Sequence, residues 1–232
     1  MKPAPRRIFF EALRYSFPVL LGYLAIGSAF GLLLVDAGYP WWLAPVMSIT
    51  MFAGAAQYIA VGLFAAGTTL WEAALVQLVV NARHIAYGLS MMSRFRSAGP
   101  LRWYLIFGLT DETFALLSSL PKNEDNPQRA KFMVLVTLLN QCYWVVGSVI
   151  GAIAGTLIPF DTGGIGYALT ALFVVLMIEQ ILRIRRPGIF IIAAVAAVLC
   201  SFLLPSRISL LTAMALALAI SSFLPKENWG NA

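Results

Sequence analysis

Along the chain, apolar runs long enough to cross a bilayer as helices alternate with short polar or turn-forming segments. The runs lie at about 17–35, 41–66, 70–92, 101–120, 132–157, 166–182, 188–204 and 207–224, eight in all. "DAGYP" closes the first, "FRSAGPLR" separates the third and fourth, and "PKNEDNPQRAK" is the clearly solvated loop. "PFDTGG", "RIRRPG" and "LPSR" mark the later turns, since Pro and Gly continue a helix poorly. Residues 1–16 form the N-terminal segment, where "RRIFFEALRYSF" (6–17) reads as an amphipathic helix at the cytoplasmic membrane surface. Residues 17–224 read as one transmembrane domain and 225–232 as a short tail. The expected fold is an all-α integral membrane protein, a polytopic helical bundle.

Composition sharpens this. Apolar residues make up 60% of the 232-residue chain and charged residues 11%, with a mean hydropathy of +0.84. Soluble domains carry roughly 25% charged residues, so a water-soluble fold is excluded. The net charge of +6 does not point to nucleic acid, because the basic residues collect between apolar runs, as membrane topology requires. With the N-terminus and the even-numbered connections on one side, that side holds Lys2, Arg6, Arg7, Arg14, Lys122, Arg129, Lys131, Arg183, Arg185, Arg186 and Lys226. The other side holds Arg94, Arg96, Arg102 and Arg207. Both termini are therefore expected to be cytoplasmic. The arginines of the 93–102 connection are out of place: either the rule is overridden there, or 41–66 or 101–120 does not fully cross. Cys142 and Cys200 lie inside apolar runs and read as packed, reduced thiols. The basic start resembles a signal peptide, but the run that follows it is long enough to be retained as a first helix.

Several runs carry polar stripes that spanning alone does not require. At 100° per residue, Gln77, Asn81, His84 and Gly88 share one face of the third run, with Tyr87 beside it and Arg83 placed to stack on Tyr87. In the fourth, Tyr104, Gly108, Asp111, Ala115 and Ser118 share a face, with Glu112 at its edge. An ionised Asp at mid-span costs roughly 2.5–3.5 kcal/mol on insertion scales, so Arg83 is the expected partner of Asp111 or Glu112. His84 could relay protons, its ordinary ionisation lying nearest neutrality. The plainer alternative is a buried salt bridge that fixes helix register.

In the second run, Gly54, Ala55, Ala56 and Gln57 form either a packing notch or a broken helix whose freed backbone lines a cavity. In the fifth, Asn140, Trp144, Gly147, Ser148, Gly151 and Gly155 share a side with Gln141 adjacent, and the glycines read as a close-packing surface, as do Gly27 and Gly31 of the first. "GAAQYIAVG" and "LNQCYWVVG" are alike enough to allow a 3+3 inverted repeat with the second and fifth runs equivalent. Glu179 and Arg183–Arg186 read as headgroup contacts. No phosphate-binding loop, metal-ligand cluster or nucleophile elbow is present in the sequence, so no cofactor or metal is expected.

"FAGAAQ" (52–57), "NARHIAYG" (81–88), "TDETFAL" (110–116) and "NQCYWVVG" (140–147), in this order, resemble the AzlC-type large subunits of branched-chain amino acid exporters, over about residues 10–225. The resemblance implies export of valine, leucine and isoleucine, with methionine a further candidate, across the bacterial inner membrane. It also implies a small hydrophobic AzlD-type partner subunit, and it carries over no site residues.

The residues themselves suit a zwitterionic substrate. Arg83 or the backbone N–H groups of Gly54–Gln57 would meet its carboxylate; Asp111, Glu112, Asn81 or Asn140 its ammonium; and Phe52, Tyr58 or Trp144 its side chain. Gln77, Tyr87 and Gln141 line the same faces. Proton exchange through Asp111, Glu112 or His84 would drive export in a secondary transporter. Two other classes compete: an intramembrane enzyme using His84, Asp111 and Glu112, and a non-transporting accessory subunit.

Overall fold

The computed structural model describes residues 5–121, 127–157, 174, 177–178, 181, 187–204, 209, 212–213, 216–217 and 219–220. Every secondary-structure element among them is helical. The "PFDTGG" turn, most of the sixth and eighth runs, Glu179, Arg183–Arg186 and the tail lie outside the described residues. The chain divides into two compact units, Met1–Ile165 and Gly166–Ala232.

In the first unit, α1 (Pro5–Asp36) and α7 (Pro127–Leu157) are long and apolar enough to cross a bilayer. The amphipathic N-terminal segment and the first run are one continuous helix, despite Pro18. A membrane helix tolerates such a proline where neighbours satisfy the freed carbonyl. The two helices run parallel: Gly27 lies against Trp144 and Ser148, Gly31 against Ser148 and Ala152, and Gly155 against Leu32 and Val35. A Cβ on Gly31 would collide with the Ser148 carbonyl, so the glycines bring the two backbones into direct contact.

The second run is not one helix. It forms α2 (Leu43–Thr50) and α3 (Gly54–Ala65), interrupted at Met51–Ala53, where Phe52 takes φ +38°. Positive φ is costly for a side chain as large as phenylalanine. The outer ends of this pair lie together, because the Tyr39 ring sits 5.5 Å from that of Phe64. The chain thus enters from the C-terminal end of α1, turns at Phe52 and goes back. α4 (Leu70–Met91) follows, started by a capping box between Thr69 and Glu72, and runs towards the N-terminal end of α1.

The fourth run repeats this device from the opposite end. A 3-10 helix (Arg96–Leu101) leads into α5 (Arg102–Phe107), the chain breaks at Gly108–Thr110, and α6 (Asp111–Ser118) returns. Arg94 Nη1 donates to the carbonyls of Leu117, Ser118 and Leu120 at 3.0–3.2 Å, which pins both ends of the segment together. Tyr15 of α1 donates to the Leu116 carbonyl, so that shared end is the N-terminal end of α1. Ala12, Met91, Phe95, Ala98, Leu117 and Met133 form the core there.

The two hairpins therefore enter from opposite ends and meet at their tips. The rings of Phe52 and Phe107 are 6.5 Å apart, and a Cβ on Gly108 would lie 3.8 Å from the Phe52 ring and in collision with Thr137.

This layout corrects several expectations. Tyr104 and Gly108 do not continue the helical face of Asp111, Ala115 and Ser118, because the helix breaks between them. Arg94 and Arg96 lie at the N-terminal end of α1, not at the opposite end. The supposed repeat partner of the broken second run, α7, is continuous. Cys142 is exposed rather than packed, whereas Cys200 is buried, and both are free thiols.

In the second unit, α8 (Pro187–Leu203) presents Ile191, Val195, Leu199 and Cys200 to an apolar cavity of about 490 Å³, which Leu216 and Ile220 also line.

Candidate functional site

The helix starts at the hairpin tips are the local cause of the site. α3 begins at Gly54 behind Ala53, whose side chain cannot cap, and its first intrahelical bond runs from Gln57 N to the Ala53 carbonyl. The N–H groups of Gly54, Ala55 and Ala56 thus precede the ladder and carry the positive end of the helix. α6 begins with Thr110, whose hydroxyl accepts from Thr113 N at 3.2 Å. Asp111 and Glu112 follow in its first turn, where the helix dipole favours anions.

The two carboxylates have different neighbours. Asp111 Oδ2 pairs with Arg83 Nη1 at 2.6 Å, and its Oδ1 accepts from the Tyr87 hydroxyl at 2.7 Å. The Tyr87 ring is stacked on Phe114 at 4.3 Å, which fixes α6 along α4. Glu112 Oε2 accepts from the Tyr23 hydroxyl at 2.7 Å. That hydroxyl also lies 2.6 Å from Thr110 Oγ1, and Asn140 Nδ2 donates to Thr113 Oγ1 at 3.0 Å.

Four of the sequence-derived candidates are spent on holding helices together. Gln57 is fully buried; its Oε1 accepts from Trp144 Nε1 at 2.8 Å and its Nε2 donates to Ser48 Oγ at 3.2 Å. Trp144 closes against Gly54 and lies edge-on to the Tyr23 ring. Tyr58 donates to the Ile26 carbonyl at 2.6 Å. Gln141 accepts from Tyr104 and donates to the Ile49 carbonyl, tying α7 to both hairpins.

Others remain open. Gln77 Nε2 donates to the Ala56 carbonyl at 2.8 Å, which sets the polar stripe of α4 beside the start of α3. Asn81 Nδ2 donates back to Gln77. Asn81 Oδ1, Arg83 Nε and Asn140 Oδ1 are buried with no hydrogen-bond partner among the described residues. Buried polar atoms are almost always paired, so Asn81 Oδ1 and Arg83 Nε on α4 and Asn140 Oδ1 on α7 are each open to a further polar partner. His84 stands next to this group, its ring 6.0 Å from that of Tyr87. Gly88 packs on Ile106. Among the described residues, no cluster of three His, Cys, Asp or Glu side chains comes together.

Tyr23, Thr110, Thr113 and Ser48 belong to this network, although the polar-stripe reading named none of them; Ser148, which it placed on the stripe of the fifth run, accepts from Ser48. Thr110 had a readable signal, a threonine directly before two acids being an N-cap pattern. Tyr23 had none: it is one tyrosine in an apolar run.

The family model described as AzlC protein matches residues 18–158, the stretch that forms α1 to α7. A Helicobacter pylori protein (strain 26695), named as an uncharacterized membrane protein, is 39% identical over 210 residues, 90% of this chain and 92% of that one. The Bacillus subtilis branched-chain amino acid transport protein AzlC is 37% identical over 180 residues, 77% of this chain and 70% of that one. The Escherichia coli inner membrane protein YgaZ is 30% identical over 191 residues, 78% and 77% of the two chains. No solved structure matches the chain. With its breaks, helix starts and paired carboxylates all inside the matched stretch, this chain is a membrane protein of the AzlC family.

Proposed function

We propose that the chain exports branched-chain amino acids across the bacterial inner membrane by exchange with protons, together with a small hydrophobic partner subunit. In this reading α1, α4 and α7 cross the bilayer, and the hairpins α2–α3 and α5–α6 enter it from opposite faces. The end bearing Arg6, Arg7, Arg14, Arg94 and Arg96 faces the cytoplasm, which agrees with the preference of basic residues for that side and puts the N-terminus there. The eight hydrophobic runs then include two that fold back. The inverted arrangement of the hairpins, rather than equivalence of the second and fifth runs, is what supports an inverted-repeat plan.

The observation that carries the proposal is the set of unpartnered buried atoms, Asn81 Oδ1, Arg83 Nε and Asn140 Oδ1. They are one guanidinium N–H and two amide oxygens, the kinds of group that an amino acid's carboxylate and ammonium respectively can bind. The uncapped start of α3 adds N–H groups for the carboxylate. Phe52 and Phe107 at the meeting tips offer an apolar wall and a barrier that must part for passage.

The test is valine efflux from loaded vesicles containing the wild type or Asp111→Asn, each with and without the small partner. Efflux should need the partner, increase with an inward proton gradient and fail in Asp111→Asn. Equal rates with and without the gradient would remove the proton from the mechanism, and no valine flux at all would remove the transport reading.

A further inference from the structure

Away from the hairpin tips, the end of the first unit that carries the N-terminus of α1 holds a cavity of about 560 Å³. It lies where the C-terminal ends of α4 and α6 meet the start of α7, and its volume is in the range of small-ligand sites, roughly 300–1,000 Å³. One side is apolar, formed by Leu117 and Met133 of the core with Phe114 beside them. The other side brings the guanidinium groups of Arg94 and Arg129 and the hydroxyl of Ser93. No acidic side chain lines the cavity among the described residues. Its lining is therefore cationic on one side and hydrocarbon on the other.

Arg94 decides what such a lining suits. Its Nη1 donates to the carbonyls of Leu117, Ser118 and Leu120 at 3.0–3.2 Å, which holds the plane of the guanidinium. A guanidinium has five N–H groups, and among the described residues only those on Nη1 are engaged. Nε and Nη2, which share one edge, are left over. That edge is the fork that matches two oxygens of one oxyanion. A fork whose plane is already held loses little freedom when it closes on a ligand. With Arg129 and Ser93 on the same lining, the cavity offers donors for more than two oxygens, which a phosphate has and a carboxylate lacks.

The depth of the cavity bears on where that phosphate comes from. At the same end the Arg102 guanidinium lies 5.0 Å from the centre of the Trp103 ring, and Trp103 is 62% exposed. Exposed tryptophan beside a basic residue marks the level of the lipid headgroups. We propose that the cavity binds a phosphate group at the membrane surface, held by Arg94 and Arg129. When the phosphate belongs to a phospholipid, Phe114, Leu117 and Met133 meet its glycerol and first acyl carbons. The site is independent of the transport reading, since it requires only that this end of α1 lie at a membrane surface and not which surface it is.

The experiment uses the full chain in a neutral detergent and three probes: dioleoyl phosphatidylglycerol, dioleoylglycerol, which has the same tails and no phosphate, and inorganic phosphate. Binding is read by thermophoresis. Wild type should bind phosphatidylglycerol at least roughly tenfold more tightly than dioleoylglycerol, the worth of one charge-assisted hydrogen bond. Weak or absent binding of the free ion then makes the lipid headgroup the occupant. Binding of inorganic phosphate with no preference between the two lipids makes a soluble phosphate the occupant, in the same site. Arg129→Gln should weaken binding of the preferred probe at least roughly tenfold, and so should Arg94→Lys, which keeps the charge and loses the fork. Arg102→Gln removes a charge from the same end but outside the cavity, and should change nothing. If Arg94→Lys does not fold, the contrast between Arg129→Gln and Arg102→Gln still decides. Wild type that prefers neither phosphate probe to dioleoylglycerol would overturn the inference. So would equal affinities in wild type and Arg129→Gln, or an equal loss in Arg102→Gln, which would mean surface charge rather than a site.

Discussion

A Cβ atom built on Gly151 would fall on the carbonyl oxygen of Ser28, so α1 and α7 meet backbone to backbone. Ser28 Oγ in turn donates to the Gly147 carbonyl at 3.1 Å, a bond open only to helices this close. Gly151→Ala should therefore force the helices apart at a cost of about 1–3 kcal/mol, the usual range for overpacking. Gly22→Ala, with open space around it, should cost nothing measurable. Thermal unfolding of both variants in detergent, followed by size-exclusion fluorescence, would check the contrast. Equal melting temperatures would mean that the close contact is not needed for stability.

Arg83 and Asp111 invite a double-mutant cycle. Their side chains keep 34% and 22% exposure, so removing one should cost less than the roughly 3–5 kcal/mol of a fully buried broken pair. About 1–2 kcal/mol is expected from Arg83→Ala or Asp111→Ala alone. The double variant should lose less than the sum, with a coupling of about 0.5–3 kcal/mol. Additive losses in thermal or denaturant unfolding would show that the pair does not act as a unit. Glu112→Ala combined with Arg83→Ala should be additive, because the structure pairs Arg83 with Asp111.

Gln57 was singled out in the sequence for substrate contact, yet both of its polar ends are bound within the protein. Gln57→Ala would orphan Trp144 Nε1 and loosen Ser48, each a buried group. The expected result is about 1–3 kcal/mol of lost stability. The order in which valine, leucine and isoleucine are preferred should not change. Competition binding with the three amino acids is the measurement; an altered order would return Gln57 to the binding surface.

The helical class, the polar stripe of α4 and the glycine contacts of α1 with α7 were legible because each is a local periodic signal. The Arg83 pairing was legible as a need, since an arginine and two acids in apolar runs must be compensated, but not as a choice between Asp111 and Glu112. That choice depends on how α6 lies along α4, set by the Tyr87–Phe114 stack. The hairpins were harder. A run of 20 apolar residues reads the same whether it crosses or turns back, and only Gly54–Gln57 and the misplaced arginines hinted at the turn. Tyr23 and Thr113 stayed hidden because their roles arise from contacts between helices far apart in sequence.

The arginines of the 93–102 connection supply the last prediction. If residues 101–120 crossed the membrane once, Ser93 and Pro121 would lie on opposite faces. The Arg94 bonds to Leu117, Ser118 and Leu120 require them on the same face. In a background of Cys142→Ser and Cys200→Ser, Ser93→Cys and Pro121→Cys should both react with a membrane-impermeant maleimide only from the cytoplasmic side. Ala66→Cys, at the outer end of the other hairpin, should react only from the periplasmic side. All three positions are exposed, so access is not limited by packing. Labelling of Ser93→Cys from the periplasmic side, with Pro121→Cys labelled from the cytoplasm, would make 101–120 a true crossing. The arginines would then be an exception to the charge rule rather than its consequence.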